Sequence, residues 1–386
     1  MANTFTTFRP QRAVISAWAV VLGLALTACT SATTEYYTVD DFPEVPKADV
    51  HIHIYTDKPD FMEQARRDNF RVLNVAVDLD NEMDEVRRQW GFIKTQQELF
   101  PDAVETITAF SMEGFEEDGW LARSMAWLDS CFEQGALGIK VWKNIGMVYK
   151  DRQGKLVMID DPRLDPIFRM MVERGSPVMG HLGEPKNCWL PLEEMTTNND
   201  RKYFAEHPQY HMHLHPEFPS YEEQVAARDR RLEKNPDLTF LAVHMASIEW
   251  SVDELAERFE RFPNMTIDLA ARMGQVFYQA HADREKVRNF FIKYQDRILY
   301  GTDLSASGDE DKEQLWKDMH DTWMRDWKFF VTDDTLTCSL VNEPYQGLKL
   351  PREVIDKIYI KNAQRWLNAF KDKATATVPV TSAWVR

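Results

Sequence analysis

The stretch ADVHIHIY at residues 48–55 puts His51 and His53 one residue apart in a run that also holds Val50, Ile52 and Ile54. An extended chain turns alternate side chains to opposite faces, so the two imidazoles share one face and the three aliphatic side chains the other. Two imidazoles in such a run call for a polar interior or a ligand. Three further apolar runs end on residues of ligand type: PVMGH closes on His181, LTFLAVH on His244 and RILYGTD on Asp303. Four histidines and a carboxylate suit Zn²⁺ or another borderline divalent ion, provided the fold brings them to one place.

Convergence of residues so far apart in sequence needs a regular scaffold. From Ala48 onward, short β-prone runs alternate with longer amphipathic ones, the pattern of a parallel sheet with crossover helices. Eight strands are expected, at 48–54, 71–77, 104–110, 137–142, 177–181, 238–244, 265–269 and 298–303. Among the helices, SVDELAERFERF opens with Ser251 and Glu254 in capping-box spacing and stops before Pro263. In PREVIDKIYIKNAQRWL, starting at Pro351, Val354, Ile355, Ile358 and Trp366 share a helical face expected to pack on the outside of the sheet. Eight strand–helix units predict an α/β fold of the closed (β/α)8 TIM-barrel type, with long insertions at 182–220 after strand five and 304–350 after strand eight. Both insertions follow strand C-termini, where such barrels keep their sites. An open doubly wound sheet is the competing architecture, but no glycine-rich phosphate turn follows the first strand.

In such a barrel the expected strand ends form one ring at the mouth, beside His51 and His53. In GIKVW, Lys140 and Trp142 face the lumen if Ile139 and Val141 face the helices. Glu184, in GHLGEP, and Arg272, shortly after strand seven, fall at the mouth as substrate contacts or loop supports. HMHLHP, with His211, His213 and His215, has chelating spacing but lies inside an insertion; it reads as a surface or lid element, with His215 a candidate substrate contact.

The order HxH, His, His, Asp on strands one, five, six and eight resembles the amidohydrolase superfamily, in particular its amidohydrolase-related branch, which also contains decarboxylases of the aminocarboxymuconate-semialdehyde type. PDLTFLAVHMAS, RILYGTD and KIYIKNAQRWL are similar to that branch's sixth strand, eighth strand and closing helix, and the resemblance spans about 48–370. It implies that His51, His53, His181 and Asp303 hold one divalent metal, zinc first, with His244 beside a metal-bound water. Asp303 then takes the proton as hydroxide attacks an amide, ester or lactone carbonyl, and His244 polarises that carbonyl or stabilises the oxyanion. A lysine ending strand four is carboxylated in binuclear members, so Lys140 is either such a bridge to a second metal or a substrate contact or interior ion pair. Two departures leave the reaction open: Leu304 and Ser305 follow Asp303 where a proline is common two positions on, and IYTDKPD differs from the usual decarboxylase form. A decarboxylase on the same scaffold is therefore the second reading. A non-catalytic ligand-binding lipoprotein is the third.

The formal charge of −16, with a pI near 5.1 and no cluster of Lys and Arg, argues against nucleic acid as a partner and leaves a small-molecule substrate. Residues 1–28 read as an export signal: Arg9 and Arg12 precede an uncharged stretch too short to span a bilayer. LTAC, ending at Cys29, resembles the bacterial lipoprotein signal, which implies a lipid on Cys29, a tether at 29–47, a barrel domain at 48–386, and, since Thr30 rather than Asp follows, anchoring in the outer membrane facing the periplasm. An oxidising compartment permits one disulfide, and Cys188 and Cys338, one in each insertion, are the candidates; three buried thiols, with Cys131, are the alternative.

Overall fold

The computed structural model describes residues 1–2, 35–181 and 183–367, so the expected signal peptide, Cys29 and the tail after 367 lie outside the described residues. Nine parallel strands form one sheet: β1 (Lys47–Ile54), β2 (Phe70–Val75), β3 (Val104–Ala109), β4 (Gly138–Val141), β5 (Val178–Gly180), β6 (Phe240–Ala242), β7 (Met265–Asp268), β8 (Ile298–Leu299) and β9 (Leu304–Ala306). Neighbours in sequence are neighbours in space from β1 to β8, and β9 lies against the far edge of β1. The expected eighth strand is thus split into β8, paired with β7, and β9, paired with β1. Between them, the amide of Val50 donates to the Tyr300 carbonyl at 3.0 Å and that of Asp303 to the His51 carbonyl at 2.8 Å, which closes the cylinder. The fold is an α/β TIM barrel.

Strand β1 departs from strict alternation. Its register against β2 shifts between Asp49 and Ile52, the mark of a bulge. Ala48 and Val50 therefore pack with Leu73, Val75, Leu241 and Leu299 in an inner cluster, while Ile52 and Ile54 join the larger cluster that includes Phe61 and Trp323. The three aliphatic side chains expected on one face are corrected to an outward pair and an inward Val50, because the extra residue moves the phase. Asp49 is the clamp at this bulge. It is fully buried and accepts from the amides of His51 (3.2 Å) and Thr302 (3.0 Å), the Thr302 hydroxyl (2.5 Å) and the Trp323 indole (3.1 Å). Burial pushes its carboxyl up to about 7 against those bonds.

The last helix also departs from its expected placement. It runs Arg352–Asp356, loosens into a π turn over Lys357–Lys361 and continues to 367. The turn changes which face points inward: Val354, Ile355 and Ile358 belong to the outer core, whereas Ala363, Trp366 and Leu367 pack on the inner cluster and close the barrel's lower end. Asn362 fastens this plug by donating to the carbonyls of Gln295 and Ile298, both at 2.7 Å.

Three further expectations change. The 304–350 stretch is not all surplus, since β9 completes the wall and the helix Lys312–Val331 is the outer helix of the eighth unit, carrying buried Met319, Trp323 and Trp327. Of the expected tether, the part from Glu35 is packed: the Tyr37 hydroxyl bonds Asp356 at 2.7 Å, the Trp327 indole donates to the Thr38 carbonyl at 3.1 Å, and Phe42 is buried. Cys188 and Cys338 are free thiols. Cys188 is buried with Met147, Met195, Phe204 and Met212 and donates to the Tyr210 carbonyl, whereas Cys338 packs against the outer core. Among the described residues no helix is long and apolar enough to cross a membrane.

Asp49→Ala would strand four donors, two of them fully buried, and is expected to lower unfolding stability by about 3 kcal/mol or more. A urea titration checks it; a shift below about 1 kcal/mol would mean that the clamp does not hold the bulge.

Candidate metal centre

Each candidate side chain is aimed by an irregularity at a strand's upper end. His51 lies within the β1 bulge and His53 follows it. His181 is the residue after β5. His244 begins a turn in which four consecutive residues, His244 to Ser247, have φ between 52° and 60°. Asp303 sits in the break of the eighth strand with φ of 69°. Left-handed backbone costs an L-residue roughly 1–2 kcal/mol, so surrounding contacts must hold these conformations. Gly301 permits the close approach beneath the centre, since a Cβ there would lie 3.1 Å from that of His51 and 3.4 Å from that of Asp268.

Three imidazoles are pinned through Nδ1. His51 Nδ1 lies 2.8 Å from Asp268 Oδ2, His53 Nδ1 2.7 Å from the Val75 carbonyl and His244 Nδ1 2.9 Å from the Ala270 carbonyl. A carbonyl can only accept, so for His53 and His244 the hydrogen is on Nδ1 and Nε2 turns to the cavity. Asp303 Oδ1 lies 3.2 Å from His53 Nε2 and 3.4 Å from His51 Nε2. Ligand atoms of His51, His244 and Asp303 all fall within 4.8 Å of one another. The His181 ring centroid is 4.2 Å from that of His244, and its buried Nε2 has no hydrogen-bond partner. Lys140 Nζ meets His51 Nε2 at 2.9 Å.

The electrostatics favour neutral rings around an ionised carboxylate. Burial above all holds His51, His181 and His244 well below the usual imidazole range, with Lys140 adding to it at His51, the His244 ring at His181, and Arg272 opposing Asp303 at His244. The His51–Asp268 contact is therefore an N–H of a neutral ring donated to Asp268, whose own carboxyl is pushed up by burial. Burial pushes Asp303 up, but His51, His244 and His53 together outweigh it and leave its carboxyl well below the ordinary value. Lys140 is lowered to about 8 because burial outweighs Asp303 and Asp268. These groups border an open cavity of about 310 Å³ whose walls include Tyr55, Val77, Leu79 and Trp142. A larger groove of about 400 Å³ beside Trp250 and Arg258 contains none of them.

The residues fit a divalent ion: uncharged nitrogen acceptors and an ionised oxygen point at one another, and the orphaned Nε2 of His181 lacks a partner such a cation could supply. The structure thus brings together His51, His53, His181, His244, Asp303 and Lys140. Glu184 and Arg272 lie behind the cavity rather than on it. Glu184 takes the Lys143 ammonium, and its Oε2 is 3.9 Å from both His181 Nε2 and Arg272 Nη2. His215 is corrected as a substrate contact: its Nε2 meets the Pro208 carbonyl at 2.9 Å, its other nitrogen faces Glu217, and it does not border the cavity. Sequence reasoning missed Asp268, although MTID ends on a carboxylate as the other runs end on ligands, and Lys143, which borders the cavity among the rings of Tyr203 and Tyr210.

The amidohydrolase family model matches residues 48–369. The chain belongs to the amidohydrolase family, whose members are metal-dependent enzymes. No curated protein matches it. Similar solved structures include an uncharacterised TIM-barrel protein from Bordetella bronchiseptica (15% identity, 84% of this chain and 99% of that one, TM-score 0.48). Others are 2,6-dihydroxybenzoate decarboxylase from Rhizobium (14%, 84% and 98%, 0.48) and 4-oxalomesaconate hydratase from Rhodopseudomonas palustris (12%, 86% and 98%, 0.46). At these identities and scores they carry no argument about chemistry.

Asp268→Ala frees the ring of His51 and is expected to weaken metal binding by about 10–100-fold, read by competition with a chromogenic chelator; unchanged affinity would remove Asp268 from the centre. In metal-free protein, ¹⁵N spectra should show His51, His181 and His244 still neutral at pH 6, since burial disfavours the charged form. Midpoints near the free value of about 6.5 would contradict it.

Proposed function

We propose that this chain is a metal-dependent hydrolase acting on an amide, ester or lactone carbonyl with one divalent ion, zinc first. The observation that carries the reading is the convergence of neutral imidazole nitrogens on an ionised, partly open carboxylate at the floor of a cavity wide enough for a small molecule. When bound, such an ion supplies Lewis-acid polarisation and lowers the pKa of water to about 7. His51, His53, His181 and Asp303 would hold it. The Asp303 side chain, 32% exposed to the cavity, is placed to accept the proton lost by an attacking water. His244 Nε2, with its other nitrogen pinned to Ala270, faces the cavity as the group that polarises a carbonyl oxygen. Tyr55, Trp142 and Leu79 supply apolar and aromatic surface for the substrate.

Two cations bordering the cavity, Lys140 and Lys143, favour a second reading, in which a carboxylated substrate is bound and decarboxylated. The outcomes differ in product: hydrolysis places oxygen from ¹⁸O-labelled water in the acid product, and decarboxylation releases carbon dioxide. Lys140 is read as a cavity cation rather than a metal bridge, which one metal ion per chain at full activity would support.

Asp303→Asn, screened on a panel of lactones, esters and amides, is expected to lose at least about 10²-fold in kcat while keeping its fold. A fully active variant would overturn the role. We also propose export and lipidation at Cys29, resting on the LTAC sequence: fatty-acid labelling in a bacterial host should be present in the natural chain and absent in Cys29→Ser.

A further inference from the structure

The turn that presents His244 has two main-chain bonds of its own, Ala246 to the Val243 carbonyl at 3.1 Å and Ile248 to the Met245 carbonyl at 3.0 Å, set against four residues in an unfavourable conformation. His244, Met245, Ala246 and Ser247 all have positive φ, and none is glycine or asparagine, the residues that adopt this conformation most readily. Both ends are tied. At the start, the His244 amide donates to Asp268 Oδ1 at 2.6 Å. At the finish, the Tyr221 hydroxyl donates to the Ser247 carbonyl at 2.6 Å, and the Ser247 hydroxyl to the Gly183 carbonyl at 3.1 Å. Among the described residues the middle of the turn has one side-chain anchor, Arg228, whose Nη1 donates to the Ala246 carbonyl.

Arg228 is a rigid post. It lies on the helix Tyr221–Lys234, is 1% exposed, and gives its Nε and Nη2 to Asp229 Oδ1 at 3.2 and 2.9 Å. Asp229 is fixed in turn, accepting Arg258 Nε at 3.1 Å and Arg261 Nη1 at 3.0 Å on its other oxygen. Arg228 does not border the cavity. An arginine whose guanidinium is held on one edge by a buried carboxylate has its remaining edge pre-aimed, so it fixes the carbonyl it meets in direction as well as distance.

The structure assigns Arg228 as a positioning residue for His244: through the Ala246 carbonyl it holds the left-handed turn that keeps the imidazole aimed at the cavity. The assignment deepens the site proposed above by naming what aims one of its rings, and rests on that reading only for its consequence in catalysis.

The test uses the full-length, metal-free chain with ¹⁵N-labelled histidine, the His244 imidazole being identified by its loss in His244→Gln. Arg228→Met is expected to shift the His244 ring nitrogens, as the Nδ1 bond to Ala270 is released, and to leave those of His53 in place. Ala246→Gly added to Arg228→Met is expected to return the His244 signals, because glycine adopts the turn without an anchor; a purely structural role predicts no such rescue. A folded Arg228→Met protein with unmoved His244 signals, or a displaced ring that Ala246→Gly does not restore, would overturn the assignment. If Arg228→Met does not fold, Arg228→Lys takes its place: one donor without the fork must shift the same signals, and unmoved signals overturn the assignment. Failure to bind metal or turn over any substrate would defeat the proposed function without touching this result, which is read from the metal-free ring.

Discussion

The constraint on which the site depends is that buried acceptors face acceptors. His53 and His244 give their Nδ1 hydrogens to main-chain carbonyls, and His51 gives its own to Asp268, so their Nε2 lone pairs point inward toward an ionised Asp303. Such an arrangement is unfavourable in a buried site unless a positive charge sits among the lone pairs. In the structure Lys140 partly meets that need by donating to His51. A divalent cation would meet it more fully, and the depressed basicity of His51 and His181 means that those two rings have few protons to lose when it binds.

Holding this convergence costs the backbone its regularity at the upper strand ends. A bulge in β1 places Val50 and His51 in the same interior, a gap in the eighth strand gives Asp303 a left-handed φ, and the chain after β6 turns left-handed for four residues. Each irregularity has a neighbouring clamp: Asp49 across β1 and the strand break, Asp268 under His51 and His244, Arg228 and Tyr221 behind the turn. The lower half of the barrel holds, by contrast, the inner apolar cluster sealed by Trp366 and Leu367. Rigidity is concentrated beneath the site and strain at its rim, as expected where function sets the geometry.

Much of this was legible in the sequence. Apolar runs ending in His181, His244 and Asp303 marked strand, order and ring position together, because a barrel turns distant strand ends into neighbours. Asp268 carried the same mark and was passed over, since nothing in a single strand says which neighbour a carboxylate will meet. The bulge was hidden because Val50, Ile52 and Ile54 alternate correctly on paper; only the pairing of Asp49 with Thr302 and Trp323 shows where the phase changes. Trp366 was misplaced because a π turn leaves no clear signature in hydrophobic spacing, and His215 because chelating spacing says nothing of what the loop packs against.

The most direct test of the central claim is anomalous diffraction from crystals of the protein soaked in zinc, recorded on both sides of the metal's absorption edge. The account predicts one strong peak bonded to the Nε2 atoms of His51, His53 and His181 and to the carboxylate of Asp303, at about 2.0–2.2 Å. A peak confined to the 211–215 histidines, or none among these side chains at saturating zinc, would contradict it.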